Sequence, residues 1–248
     1  MKKAFVLLAL VGVLFFGCDN GSTNGGTTPT ILRAVSVDQK VITLETIDGT
    51  RHARSLEQGN TYVLKYTMAN GVSGNTTTFE PTITIIVTVQ NINNNKITFK
   101  PIDPPGSDFI ATVNANGQLT NIEDLPGVMG GILFPYEYSP SGIQGAWFGR
   151  SIKEKDGIEE IKRNSFVING DNFTMLHYNE TKKTPEQPQI ATINVTGDKI
   201  KISNLQGWDF DKKEFVDGTW SGGDEFTFEM PDDDTLFIVG DGYYTRVK

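Results

Sequence analysis

One cysteine in 248 residues, Cys18, rules out a disulfide within the chain. The two histidines, His52 and His177, are far apart. Neither has a second histidine or cysteine at metal-ligand spacing, so no zinc site is expected and each reads as a surface strand histidine. There is no Gly-x-Ser-x-Gly elbow and no Ser-x-x-Lys, so nucleophilic catalysis has no visible apparatus. Asp209-x-Asp211 and Asp232-Asp233-Asp234 lack the glycine and terminal glutamate of a calcium loop and read as acidic turns. No carboxylate pair is marked out for glycoside hydrolysis. These absences predict a protein that is not an enzyme and carries no cofactor. Net charge is −8 with no lysine or arginine cluster, which leaves no electrostatic footprint for nucleic acid. Apolar runs approaching the ~20 residues of a membrane-spanning helix are missing. Runs of helical periodicity are nearly absent too.

What the chain does have begins at its start. Lys2 and Lys3 precede an uncharged apolar stretch, Ala4 to Phe16, which fits the hydrophobic region of a secretory signal. It ends in Leu14-Phe15-Phe16-Gly17-Cys18. This resembles the lipobox of bacterial lipoproteins, in the relaxed form found in spirochaetes, and departs from the common pattern at Phe15 and Phe16. The resemblance implies removal of residues 1–17 and acylation of Cys18, with palmitate-like chains anchoring the protein to a membrane. Two or three chains hold a protein stably, since each buried methylene contributes ~0.8 kcal/mol. Residues 18–30 then form the lipidated cysteine and a small, polar tether, DNGSTNGGTTPT, which has nothing to bury in a core. The implied address is the cell envelope, at the outer membrane or the periplasmic face of the inner one. Asp19 leaves that choice open.

From Ile31 onward, short alternating runs rich in Thr, Val, Ile and Phe are separated by Asn-Gly, Gly-Asp and Asp-Gly pairs, the pattern of hairpins. The fold class is all-β. Seven strands between residues 31 and 122 predict a small antiparallel sandwich or barrel, centred on Thr82 to Val89, where Ile83, Ile85, Val87 and Val89 share one face. Prolines and glycines then crowd residues 123–143, which read as a linker packed against one domain. In residues 144–248 the turns NGDN, TGDK and VGDG join alternating strands, eight or nine in number, enough to close an up-and-down barrel.

Gly145-x-Trp147 on a first strand, a meander, and Arg246 on the last strand resemble the lipocalin (calycin) family and, more closely, small lipocalin-like domains of bacterial lipoproteins. The likeness covers Ile143 to Lys248. It implies that Trp147 plugs the closed end of the barrel with Arg246 across its indole, a cation–π closure. Gly218-Thr219-Trp220 is a second copy of the tripeptide that cannot play the same part. The many aromatics of this region either line a cavity for a small apolar ligand or fill the interior, and the filled interior is the expectation, because eight strands leave just enough room for side chains. Binding of an apolar ligand or macromolecule by the second domain is the leading expectation. The rival is a surface adhesin or inhibitor with solid domains, acting on a protein partner through loops at Asp156 to Arg163 and Asn179 to Gln187.

Overall fold

The computed structural model describes residues 32–47, 56–125, 131–155, 157–218 and 224–248. Cys18, the signal, the tether, His52 and Trp220 lie outside the described residues. Among these residues there is no helix, and the chain is built from antiparallel strands.

Eight strands make the first sheet: β1 (Leu32–Ser36), β2 (Lys40–Thr46), β3 (Thr61–Ser73), β4 (Thr76–Asn93), β5 (Lys96–Asp103), β6 (Phe109–Val113), β7 (Leu119–Glu123) and β8 (Leu133–Tyr136). From β1 to β7 each pairs with the next, and β8 returns to β1, where Val35 faces Phe134 and Arg33 faces Tyr136. The remaining gap is bridged at Asn121 and Ile132, with the Ile122 N–H donating to the Gly131 carbonyl at 2.7 Å. The result is an eight-stranded up-and-down barrel. This corrects the reading of 123–143 as linker. Leu133 to Tyr136 is the closing strand, and Pro135 is tolerated there because β8 is short and carries few ladder bonds.

The second sheet contains β9 (Gly145–Lys155), β10 (Ile158–Asn169), β11 (Asn172–Asn179), β12 (Thr184–Pro185), β13 (Gln189–Thr196), β14 (Lys199–Asp209), β15 (Glu214–Asp217), β16 (Glu225–Asp232), β17 (Thr235–Ile238) and β18 (Gly242–Arg246). The pairings β10–β11 and β18–β9 close it into a second eight-stranded barrel, with β12 and β15 as side strands on β11 and β14. The segment 158–163, expected to be loop, belongs to β10. Four of its six residues are charged and its two isoleucines, Ile158 and Ile161, stand three apart, so no period of two shows in the sequence.

Strand alternation explains the interiors. Ala34, Ile42, Leu44, Tyr62, Leu64, Tyr66, Val87, Val89, Phe99 and Phe109 form one buried cluster inside the first barrel. Trp147, Phe166, Ile168, Phe173, Ile193, Ile200, Phe228, Leu236 and Tyr244 form another inside the second. A third cluster uses outward faces: Val35, Val41, Phe134 and Tyr136 of the first barrel meet Phe148, Val167, Leu176 and Val247 of the second. The barrels therefore share an apolar seam. Gln39, held at φ 60° in the β1–β2 turn, crosses it and donates from Nε2 to the carbonyls of Arg163 and Leu176 at 2.7 and 2.9 Å. The long β3–β4 hairpin also leans on the second barrel: the Thr77 N–H donates to Thr245 Oγ1 at 2.7 Å, its hydroxyl donates to the Phe148 carbonyl, and Phe79 packs edge-on against Phe148.

Candidate functional site

The two ends of the second barrel differ. At the end where β9 begins and β18 finishes, Trp147 is fully buried and pairs across the ladder with Arg246. The Arg246 guanidinium lies 4.1 Å from the centre of the Trp147 ring. Its donors are spent on main-chain oxygens: Nε on Asp233, Nη1 on Ser139 and Gln144, and Nη2 on Gly142. The indole N–H donates to the Ile143 carbonyl at 2.8 Å. Gly145, at φ 123°, brings the incoming chain under the guanidinium, where a Cβ would sit 3.5 Å from Nη1. Arg246 thus joins the plug to the segment between the barrels. Burial lowers its pKa, with Asp234 and Asp233 opposing that shift, and an arginine remains charged throughout the ordinary pH range.

Above the plug the interior is packed by aromatics. Phe166 stacks on Phe173 with centroids 5.3 Å apart and meets Tyr244 at 4.5 Å, and Phe173 lies 6.1 Å from Phe226. These rings touch one another across the barrel axis, which is the arrangement of a filled core.

At the opposite end the same strands turn polar. Alternation that puts Ile168 and Phe166 inside carries Asn164, Lys162 and Glu160 onto the inner face of β10. On β11 it carries His177 and Asn179 to face them, since the ladder pairs Asn164 with His177 and Lys162 with Asn179. His177 is therefore not a surface strand histidine: it is half-buried, inward-facing, and its Nδ1 lies 2.8 Å from Asn164 Oδ1. Glu160 Oε1 accepts from Asn179 Nδ2 at 2.6 Å and lies 3.5 Å from Lys182 Nζ. Lys162 donates to Glu186 at 2.8 Å, across to the connection leading into β13. Tyr244 Oη donates to Asp241 in the β17–β18 turn through a short hydrogen bond.

Gly149 makes this cluster possible. A Cβ there would lie 3.0 Å from the Tyr244 ring and from the Tyr243 carbonyl, so only glycine lets the ring cross β9. Burial, then the Asp241 carboxylate, push the Tyr244 hydroxyl well above its usual pKa. Burial lowers His177 and keeps the imidazole neutral; Glu186 and Asp241 oppose that shift, and Lys162 adds to it.

A half-open groove of about 320 Å³ runs over β11, β13 and β14 and is lined by Asn172, Thr174, Ile190, Thr192, Asn204 and Gln206. It carries no charged group. Among the described residues, no cluster of three or more His, Cys, Asp or Glu side chains is placed to hold a metal ion.

Reading the sequence alone singles out Trp147 and Arg246 but misses the polar end. The signal is present in Lys162-Arg163-Asn164 and Leu176-His177-Tyr178, and it becomes legible only once the β10–β11 register is known. The chain matches no protein-family model, and comparison with curated proteins and with solved structures finds no match.

Proposed function

We propose that this chain is a lipid-anchored envelope protein that binds a small molecule, without chemistry, at the open end of its second barrel. The anchor rests on the lipobox resemblance at Leu14 to Cys18 and on the uncharged stretch before it. The lipocalin-like kinship rests on Gly145, Trp147 and Arg246. The observation that carries the binding site is the one-sided interior: a plugged, aromatic-packed half and a half lined by Asn164, His177, Lys162 and Glu160. Burying such groups in a small barrel lowers stability relative to an apolar lining, so their presence at one end marks a site with another purpose. The packed aromatics move the ligand from the deep interior, where an apolar molecule would lie, to the mouth.

Two experiments test this reading. Native mass spectrometry of residues 19–248, purified gently and then incubated with palmitate, should show no retained fatty acid, while polar small molecules added singly should give a specific adduct. A co-purifying lipid buried in the barrel would replace it with apolar carriage. Clean spectra throughout, with partner-dependent binding instead, would favour an adhesin or inhibitor with solid barrels. For the anchor, Cys18→Ser should move the protein from the membrane to the soluble fraction and abolish palmitate labelling.

A further inference from the structure

The ladder of the second barrel is interrupted where the groove lies. Between the pairs Ile190–Gln206 and Thr192–Ser203 the register of β13 against β14 shifts, so that Asn204 and Leu205 stand opposite the single residue Ala191. Asn204 accommodates the extra residue at φ 53°. Asparagine is one of the few non-glycine residues that adopt this conformation readily, and a bulge of this kind bends its strand and re-aims the side chain it carries. Asn204 lines the half-open groove over β11, β13 and β14, whose volume of about 320 Å³ reaches the lower end of small-molecule sites, about 300–1,000 Å³.

Strand alternation supplies the rest of the lining. Asn172 pairs with Thr192, and Thr174 with Ile190 and through it with Gln206, so two cross-strand rows carry amides and hydroxyls around a central, half-buried Ile190. None of the lining residues is charged. One polar group is deep: Thr174 is 7% exposed, and its hydroxyl has no hydrogen-bond partner among the described residues. The amides around it are loosely held. Asn204 Nδ2 reaches Thr192 Oγ1 at 3.5 Å, Gln206 Nε2 reaches Asp217 at 3.3 Å and Asn172 Nδ2 reaches the Asn169 carbonyl at 3.3 Å. The three amide oxygens accept nothing among the described residues.

We infer that this groove is a second binding site, on the outer wall and apart from the mouth, and that its ligand is a short, uncharged saccharide. The inference goes beyond the binding reading above and does not use its residues. A neutral lining offers an ionised ligand nothing to offset its desolvation. A lipid needs an enclosed apolar cavity, whereas this groove is half open and edged by amides. An extended peptide needs a free strand edge, but β11 and β13 are ladder-bonded on both sides, and β14 is bonded to β13 and β15. A sugar matches what is present. Each of its hydroxyls donates and accepts, as does a side-chain amide with N–H and oxygen side by side, and one of them gives the Thr174 hydroxyl its missing partner. Ile190 offers an apolar surface to the C–H face of the ring. At the usual spacing of ~4.8 Å the three strands span about 10 Å, the width of about two rings.

Residues 19–248, which hold every described residue, are labelled with nitrogen-15 and titrated in turn with maltose, cellobiose and N,N′-diacetylchitobiose. At least one should shift the side-chain amide signals of Asn204 and Gln206 together with the backbone signals of Ala191 and Thr192. Asn204→Gly keeps a residue suited to positive φ while removing the amide, and Thr174→Val removes only the hydroxyl. Each should weaken the responding sugar about fivefold, the loss of one hydrogen bond, with an unfolding midpoint by tryptophan fluorescence near that of the parent. Should one variant prove unfolded, the other decides. No shift with any of the three sugars, or a response left undiminished by the substitutions, overturns the inference. Shifts confined to Asn164, His177 and their neighbours also overturn it, since the sugar would then occupy the mouth and the binding reading above would stand.

Discussion

The two barrels have the same strand count, the same up-and-down order and the same closure of first strand on last, yet they are filled differently. The first is apolar along most of its length, with Ser36, Asp38 and Lys40 gathered at the β1–β2 turn, where the Asp38 carboxylate accepts from both neighbours beside the seam. The second is apolar only in its plugged half, and polar side chains recur on the inner faces of β10, β11 and β18. In the second barrel Trp147 and Arg246 close the plugged end, and the polar side chains lie at the other. In the first barrel the buried interior cluster is apolar, from Ala34 on β1 to Leu133 on β8.

All three tryptophans, Trp147, Trp208 and Trp220, lie in the second region, so their fluorescence reports on that barrel while far-ultraviolet circular dichroism reports on both. This separation makes the comparison testable. The largest effect is expected from Trp147→Ala, which should destabilise the second barrel by about 3–5 kcal/mol, since a fully buried indole leaves both a transfer loss and a cavity. Denaturant unfolding followed by the remaining tryptophans checks it; a loss below 1 kcal/mol would show that the plug does not hold the half-packed barrel together.

Arg246→Ala should cost about 2–3 kcal/mol, as charge-assisted bonds to several carbonyls vanish together with the contact to the indole. Lysine at the same position should recover only part of that, because it cannot fork to both sides of the incoming segment. Next in size is the seam. Gln39→Ala removes two hydrogen bonds buried between the barrels and is expected to cost about 1–2 kcal/mol. It should also draw apart the fluorescence and circular dichroism transitions, which the shared seam predicts to coincide in the parent. Coincident curves in the variant would mean that the apolar contacts around Phe148 and Val35 couple the barrels without it.

The smallest effect concerns pH. Burial lowers the pKa of His177 in the folded state, so its unfolded form binds a proton first as pH falls below the ordinary histidine value of 6.5. Its contribution to stability is full above that value and is lost as pH falls through 6.5 toward the folded pKa. The fluorescence midpoint should therefore drop on mild acidification. The double substitution Asn164→Leu with His177→Leu should flatten this dependence while changing stability at neutral pH by less than ~1 kcal/mol, because both hydrogen-bonding partners are replaced together. Such a variant makes the second barrel resemble the first. An unchanged acid dependence would assign it to other groups.

Alternation and turn chemistry made the strands of both regions readable in the sequence, and Trp147 with Arg246 could be picked out because a tryptophan on the first strand and an arginine on the last form a recognisable pair. Residues 133–136 were hidden by the prolines and glycines around them, since a four-residue strand held mainly by one neighbour needs little local propensity. Residues 158–163 were hidden by charge. His177 could not be interpreted from its neighbours in sequence, because the face it occupies depends on the register of β10 against β11.

What the sequence determined by itself is what local chemistry controls: the β class, the positions of the hairpin turns, the uncharged apolar run from Ala4 to Phe16 and the acidic balance. Periodicity of two and the φ preferences of Gly, Asn and Asp act within a few residues and need no partner. The tertiary structure alone decided that β8 closes the first barrel, that outward-facing Val35, Phe134, Phe148 and Leu176 are buried in a seam, and that Tyr244 meets Asp241 and His177 meets Asn164 by hydrogen bonds. These are contacts between residues far apart in the chain. They arise from ladder register and barrel closure, which the whole set of strands fixes cooperatively.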